Sequence, residues 1–511
     1  MNHLYEILES AAERHADRPA LYFQDHVLTY RDLKEATDRL ASGLKEIGLG
    51  AGDRVSLLLP NVPHFVFSYF ALLKIGATVI PMSIMDKAAE MHHQLDDAEA
   101  RGVIYWQGLG ETVHQAVNGL DQCNKLIVLG ETSGSNEIKL TTLIEAHPPC
   151  GHTDPADPDD TALIFYTAGI TGRPKGAELS HHNILSNVEA IQAFFKFTEE
   201  DRVVAELPLS LPVGLTLILS TFLHAGAGIH LMPKFDAASI LRYITEKKPT
   251  YFVGMPSLYR SLIELELDEI PDLSNIKFWL SMGDALKQET FEAFEAKYNG
   301  IVLEGYGLTE AGPVVSFNSP VRERKPGSIG LPLPGIDLKI LDQNGREVLP
   351  GQVGEICIKG PGIMKGYLNK PEATKTALAD GWLHTGDLAH LDESGFPMIV
   401  ARKKNVIMKS GFSVYPREVE KFLLGYPKVQ EAVVVGLPDA TVGEEIHAAV
   451  MLKSGEEATQ EEIIGYCRDI MAAYKAPKSI HFALSLPKGP TGRILREEVK
   501  RILSDKQRYN S

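Results

Sequence analysis

Through its first third the chain alternates short apolar, β-prone runs with helix-like ones, and no other feature limits its fold as tightly. Strand-like runs at 54–59, 77–81, 102–106, 125–129 and 162–166 are separated by helix-like segments such as 65–75. Strands joined through helices run parallel and are buried on both faces, so the pattern predicts an α/β fold of parallel sheets covered by helices. Residues 130–160 are polar, with Gly, Ser and Pro, and read as a surface excursion. From Gly327 the texture changes to short strands punctuated by turns (329–332, 337–341, 347–349, 355–359), as in a small β-barrel over about 327–400, with a short helix at 371–378. The clearest boundary is Arg402-Lys403-Lys404-Asn405. Beyond it lie a helix at 416–424, strands at 429–437 and 447–453, a helix at 459–471 and a strand near 480–484, enough for a small α+β domain. The expected domains are therefore 1–404 and 405–511.

A chain of 511 residues exceeds one ordinary domain. The formal net charge of −16 argues against nucleic acid as a main partner and requires local cations wherever a polyanion binds. Cys123, Cys150, Cys357 and Cys467 are far apart and form no CxxC, which fits a reducing, cytoplasmic setting. Leu4, Ile7, Leu8 and Ala11 form a helical stripe, and Glu6 and Glu9 argue against a transit peptide. Residues 207–233 lack Asp, Glu, Lys and Arg until the run ends, but Pro208, Pro212, Ser210, Ser220 and His224 interrupt them. They read as core strand and helix beside a pocket, not a membrane span. His92–His93 and His181–His182 lack partners at metal-ligand spacing and read as solvated surface. No GxSxG, HExxH or strand-linked GxGxxG occurs.

Chemistry concentrates in Tyr166-Thr167-Ala168-Gly169-Ile170-Thr171-Gly172-Arg173-Pro174-Lys175-Gly176, which follows a buried strand. Glycines let the backbone curl and aim consecutive N–H groups at an anion; threonine hydroxyls and Lys175 add donors and charge. This is the chemistry of a loop closing over nucleotide phosphates, yet it is not a GxxxxGK[ST] loop.

The segment resembles the phosphate loop of the adenylate-forming superfamily, usually YTSGTTGxPKG. Other motifs follow in the family's order, and the resemblance covers essentially the whole chain, nearest to bacterial medium- and long-chain fatty acid–CoA ligases. Gly305-Tyr306-Gly307-Leu308-Thr309-Glu310 resembles YGxTE: Tyr306 for adenine, Thr309 for a phosphate, Glu310 as a hard ligand for Mg²⁺. Gly283, Asp284 and Ala285 stand where a turn lines the adenine. Asp387, in Trp382-Leu383-His384-Thr385-Gly386-Asp387, matches the ribose-binding aspartate, and Arg402 the arginine reaching the same ribose. Ser410-Gly411 matches the segment that leaves room for the coenzyme A arm. The resemblance implies a large N-terminal domain of two parallel-rich sheets with flanking helices plus a small β-barrel, and a small mobile α+β C-terminal domain. It further implies ATP, Mg²⁺ and coenzyme A, a carboxylic (fatty) acid substrate, acyl-adenylate formation and transfer to coenzyme A. It allows a homodimer.

Departures from the pattern fall at informative places. Ala168 replaces a serine and Ile170 a threonine of the phosphate loop. Leu211 stands where relatives carry an aromatic-His pair, and Asn405 replaces the hinge aspartate. Arg493, in Pro490-Thr491-Gly492-Arg493-Ile494-Leu495-Arg496, replaces the catalytic lysine; a planar fork is not equivalent to a point charge at a site meeting both carboxylate and phosphate. Two alternatives stay open: an acyl-AMP ligase loading a carrier protein, though the hinge-restraining insertion usual there is missing, and a degenerate nucleotide- or acyl-binding protein with impaired adenylation.

Overall fold

A computed structural model describes residues 1–509 except 155, 168–173, 233–235, 322, 411, 440 and 490–493, with side chains as far as 505. Ala168, Gly169, Ile170, Thr171, Gly172, Gly411 and Arg493 thus lie outside the described residues. The chain divides into two compact units, Met1–Leu338 with Ile358–His384, and Lys339–Cys357 with Thr385–Ser511.

The first unit is built on two parallel-rich sheets. An eight-stranded sheet runs, in spatial order, Gly366–Tyr367, Lys175–Ser180, Thr161–Thr167, Thr78–Pro81, Arg54–Leu58, Gly102–Trp106, Lys125–Leu129 and Glu137–Lys139. Its pairs are parallel from Thr161–Thr167 to Glu137–Lys139. The reason is visible in burial: Val55, Leu57, Val79, Ile80, Val103 and Ile104 are almost wholly shielded, as in strands covered on both faces. Helix Pro63–Lys74, opened by Pro63 at its first position, makes the crossover and is buried along its length. Its Lys74 is buried too, and its ammonium is satisfied by Asp38 at 2.7 Å and the Tyr5 hydroxyl at 3.0 Å.

A nine-stranded sheet holds the parallel strands Val302–Gly307, Phe278–Ser281, Tyr251–Gly254, Arg202–Ala205, Gly228–Leu231 and Pro19–Phe23, in that order, with antiparallel strands at both edges. One face packs on an aromatic cluster in which Trp279 and Phe294 lie 4.9 Å apart, Tyr259 and Phe294 4.9 Å, and Phe252 and Trp279 5.1 Å. The five apolar runs expected to be strands, 54–59, 77–81, 102–106, 125–129 and 162–166, all form strands of the eight-stranded sheet, with ends shifted by no more than a residue.

Two expectations need correction, and a third gains a detail. The stretch 130–160 is not a bare surface excursion: it supplies the edge strand Glu137–Lys139 and helix Leu140–Glu145, whose Leu140 and Leu143 are buried. The histidine pairs are not all solvated. His181 is buried, accepts a hydrogen bond from the Leu4 amide at 3.2 Å and packs against the tilted ring of His3, 4.1 Å between centroids. Within 207–233 the helix begins as a π-helix, Gly214–Ser220, and turns α at Thr221–His224. Two hydroxyls serve the wide turns: Ser220 Oγ donates to Leu215 O and Thr221 Oγ1 to Thr216 O, both at 2.8 Å.

The second unit contains most of a four-stranded sheet, Asp337–Leu341, Gly354–Lys359, Leu383–Leu391 and Pro397–Arg402, where the turn-punctuated stretch lies. It also contains a five-stranded sheet centred on the hairpin Val429–Asp439 and Gly443–Leu452, covered by helices Pro416–Leu424 and Gln460–Ile470 around Val419, Leu423, Ile463 and Cys467. All four cysteines are buried. Among the described residues no helix is long and apolar enough to cross a membrane.

Candidate active site

The hairpin Thr161–Thr167 and Lys175–Ser180 pairs Thr167 with Lys175, so its open end presents the Gly-rich loop. Both stems are fixed by side chains. The Tyr166 hydroxyl donates to Asp97 at 2.9 Å, and His93 Nε2 donates to the Pro174 carbonyl at 3.0 Å. His93, expected to be surface, therefore braces the loop exit.

Glu310 comes to this stem from the other sheet. It sits in the short turn Thr309–Ala311 that follows Val302–Gly307. Thr167 Oγ1 lies 3.5 Å from both Glu310 Oε1 and the Lys175 carbonyl. The Tyr367 hydroxyl donates to Glu310 Oε1 at 2.8 Å, and Lys175 Nζ lies 3.9 Å from the Tyr367 ring centroid. Burial lowers the Lys175 pKa despite the opposing pull of Glu310, while burial and Glu310 together raise that of Tyr367. A carboxylate, an ammonium and two hydroxyls so arranged suit a divalent cation and the phosphates it accompanies. Tyr367 was not foreseen: it stands far from Glu310 in sequence, and a lone tyrosine carries no local signature.

Beside this cluster the predicted adenine segments occupy adjoining strand ends. Ser281 pairs with Glu304, so the turn at Gly283, Asp284 and Ala285 lies next to Gly305-Tyr306-Gly307. Gly283 adopts φ +95°, a conformation that favours glycine. Gly307 is required for another reason: a Cβ there would lie 2.0 Å from Pro313 O. Tyr306 is buried and Asp284 half-buried, with Asp284 Oδ1 accepting from the Ala285 amide at 2.9 Å. Glu304 is buried under this turn, accepting from the amides of Gly327 at 2.8 Å and Leu286 at 3.3 Å; burial outweighs those bonds and pushes its pKa up to about 7.

In the second unit Asp387 and Arg402 face each other across an antiparallel pair, with Arg402 Nε 3.0 Å from Asp387 Oδ1. Asp387 is buried within the strand Leu383–Leu391, next to Gly386 at φ +72°, and Thr385 Oγ1 accepts from its amide at 3.0 Å. Ser410 is exposed at φ +51°, its amide donating to Val442 O at 2.7 Å.

Comparison with known proteins identifies the family. A family profile described as AMP-binding enzyme covers residues 8–368, and one described as AMP-binding enzyme C-terminal domain covers 418–493. The chain is 37% identical to the long-chain-fatty-acid–CoA ligase of Bacillus subtilis (strain 168), over 97% of this chain and 94% of that one. It is 32% identical to the protein of the same description from Escherichia coli O6:H1, with the same coverage. Among solved structures, the anthranilate CoA ligase AuaEII in complex with anthranoyl-AMP superposes with a TM-score of 0.91 at 27% identity, over 99% of this chain and 98% of the other. The chain belongs to the AMP-binding enzyme family and is an adenylate-forming enzyme of its acyl-CoA ligase group.

Proposed function

We propose that this enzyme activates a carboxylic acid, a fatty acid in the first instance, with ATP and passes the acyl group to coenzyme A in the cytoplasm. The observation that carries the reading is the convergence of Thr167, Lys175, Glu310 and Tyr367 at the foot of the Gly-rich loop. A carboxylate oxygen attacks the α-phosphorus, the bond to the β-phosphate oxygen breaks, and pyrophosphate leaves. The thiol sulfur of coenzyme A then attacks the acyl carbon, the bond to AMP breaks, and the thiol proton is lost to solvent. No side chain needs to form a bond in the first step; positioning and charge neutralisation suffice.

In this reading Lys175, Thr167, Thr309 and the loop amides of Ala168, Gly169, Ile170, Thr171 and Gly172 hold phosphates. Glu310 fits Mg²⁺, whose charge would offset that of the phosphates. Gly283, Asp284, Ala285, Gly305, Tyr306 and Gly307 form the adenine side, Asp387 and Arg402 hold the ribose, and Ser410 and Gly411 face the coenzyme arm. Arg493 supplies the cation at the reacting phosphate. The proposed moving domain begins at Asn405. The similarity to long-chain-fatty-acid–CoA ligases supports the acid class.

Purified protein with ATP, Mg²⁺ and acids from short to long chain, aromatic acids included, tests the reading through pyrophosphate and AMP release. Acid-dependent release that accelerates with coenzyme A is expected. Release indifferent to coenzyme A would move the acceptor to another thiol, and no release with any acid would overturn the reading.

A further inference from the structure

The strand Val429–Asp439 forms an edge of the five-stranded sheet, paired among the described residues with Gly443–Leu452 on one side only. An edge leaves backbone N–H and C=O groups to be satisfied by other means. At Val434 two side chains remote in sequence do this. The Val434 amide donates to Glu420 Oε1 at 2.7 Å, and Arg496 Nη1 donates to the Val434 carbonyl. The same two side chains also grip each other: Arg496 Nη1 lies 2.5 Å from Glu420 Oε1, and Nη2 lies 3.2 Å from Oε2. Glu420 comes from helix Pro416–Leu424, and Arg496 opens helix Arg496–Tyr509. Both are largely shielded, with side-chain exposures of 12% and 22%. A carboxylate and a planar fork engaged in this way make a bidentate pair whose geometry leaves little play.

What this pair holds is the chain just before Arg496. Lys488 and Ile494 pair as an antiparallel bridge, and the Leu495 amide donates to the Pro487 carbonyl at 2.8 Å, so the chain returns on itself between them. Both legs are tied to the same edge strand. Arg496 fixes the leaving leg at Val434, and Lys488 Nζ fixes the entering leg at Glu431 Oε1, 2.7 Å away. Leu486 is buried with Val433, Val435 and Leu437, and Ile494 packs against the same cluster. Connecting segments are commonly the most mobile parts of a fold, yet here two ion pairs, two backbone links and an apolar seat clamp both legs. In the sequence Arg493 stands between these legs, three residues before Arg496.

We propose that Glu420 and Arg496 are positioning residues for acyl-adenylate formation, fixing both legs of the segment that carries Arg493. The inference rests on the acid-activating reading above, in which Arg493 supplies the cation at the reacting phosphate. Glu420 and Arg496 touch no substrate and act through Arg493. Catalysis by positioning is sensitive to displacements of about 1 Å, which can cost on the order of 100-fold, so a charge carried between two legs needs a fixed base. A lysine at 496 keeps the charge but has no fork with which to hold both Glu420 oxygens and the Val434 carbonyl at once. A glutamine at 420 keeps one acceptor oxygen for the Val434 amide and loses the second half of the bidentate pair. Attack of the coenzyme thiol on the acyl carbon does not pass through Arg493 in this reading, so the pair matters to the first step alone.

The test separates the two half-reactions in the intact enzyme. Single-turnover pyrophosphate release from ATP, Mg²⁺ and acid reads the first, and acyl-CoA formation from supplied acyl-adenylate and coenzyme A reads the second. Arg496→Lys and Glu420→Gln should each slow pyrophosphate release about tenfold or more and leave the second step within about threefold of wild type. Both steps slowed alike, as a merely structural role requires, or pyrophosphate release unmoved in both variants, would overturn the inference. Coupling supplies a second check. In an Arg493→Ala background the same substitutions should add less than about twofold, since a residue acting through Arg493 has nothing left to place; effects that multiply in full would overturn it. Hydrogen exchange reads the clamp without turnover. Arg496→Lys should raise amide exchange at 488–495 and leave 443–452 as in wild type, and Lys488→Gln on the other leg should do the same if Arg496→Lys does not fold. Unchanged exchange at 488–495 would also overturn the inference. If no acid turns over in the wild type, the acid-activating reading fails, and the exchange result alone decides whether the pair holds this segment.

Discussion

Glu310 illustrates how far one residue's chemistry is set by neighbours remote in sequence. Its carboxylate is approached by Thr167 from the hairpin and bonded by Tyr367 from the short strand Gly366–Tyr367. Tyr367→Phe should keep the ring beneath Lys175 and lose only the hydroxyl. The expected result is a rise in the Mg²⁺ concentration needed for half-maximal activity and a fall in kcat/KM of roughly 5- to 30-fold, about 1–2 kcal/mol, read by metal titration. Asp387→Ala removes a carboxylate proposed to hold the ribose and strands Arg402; KM for ATP should rise about 10- to 100-fold with a smaller change in kcat, and unchanged ATP kinetics would dismiss that role. Arg493→Lys should speed pyrophosphate release in single-turnover assays, since a compact ammonium replaces a fork. Lys175 and Glu310, which the fold brings to one cluster, could be picked out beforehand because each sits in a segment with fixed local spacing. Tyr367 and His93 could not, because each acts only once tertiary packing has brought distant segments together.

At the scale of elements, the parallel strands were readable since their apolar runs must be buried on both faces. The π-helix Gly214–Ser220 was not, because apolar residues throughout give no phase from which to tell its pitch. Its wide turns rely on Ser220 and Thr221 for carbonyl partners. Replacing both, Ser220→Ala with Thr221→Val, should cost about 1–3 kcal/mol, seen as a lower thermal midpoint. Glu206 gives an element-level pH effect. Its pKa is raised from 4.5 to about 8 in the folded protein, so its protonated form supports folding fully below 4.5 and that support is lost as pH rises through 8. Glu206→Gln cannot ionise. Its stability relative to wild type should therefore grow between pH 5 and pH 9, by an amount on the order of 3–5 kcal/mol, and a constant difference in denaturation midpoint would contradict this. The edge strand Glu137–Lys139 escaped notice for a simpler reason: an edge strand with half-buried polar ends looks like loop composition.

For the whole molecule, the overall α/β plan was legible because alternation of period and the change of texture after Gly327 both reflect backbone requirements, not particular contacts. The proposed two-step cycle needs Asn405 to absorb a change in backbone dihedrals, and proline fixes φ near −65°. Asn405→Pro should leave acid-dependent pyrophosphate release within about threefold of wild type and slow thioester formation about tenfold or more, separated by stopped assays with and without coenzyme A. Equal slowing of both steps would place the hinge elsewhere. The buried cysteines carry a further consequence in such a cycle. An acyl-adenylate is a mixed anhydride that acylates any thiolate within reach. Burial pushes the thiols of Cys123 and Cys357 up to about 12 and that of Cys467 up to about 11, and Cys150 is shielded as well. The enzyme thus holds an electrophile without offering it a sulfur of its own, so self-acylation and mixed disulfides with the coenzyme are suppressed at source, and the incoming thiol meets no rival.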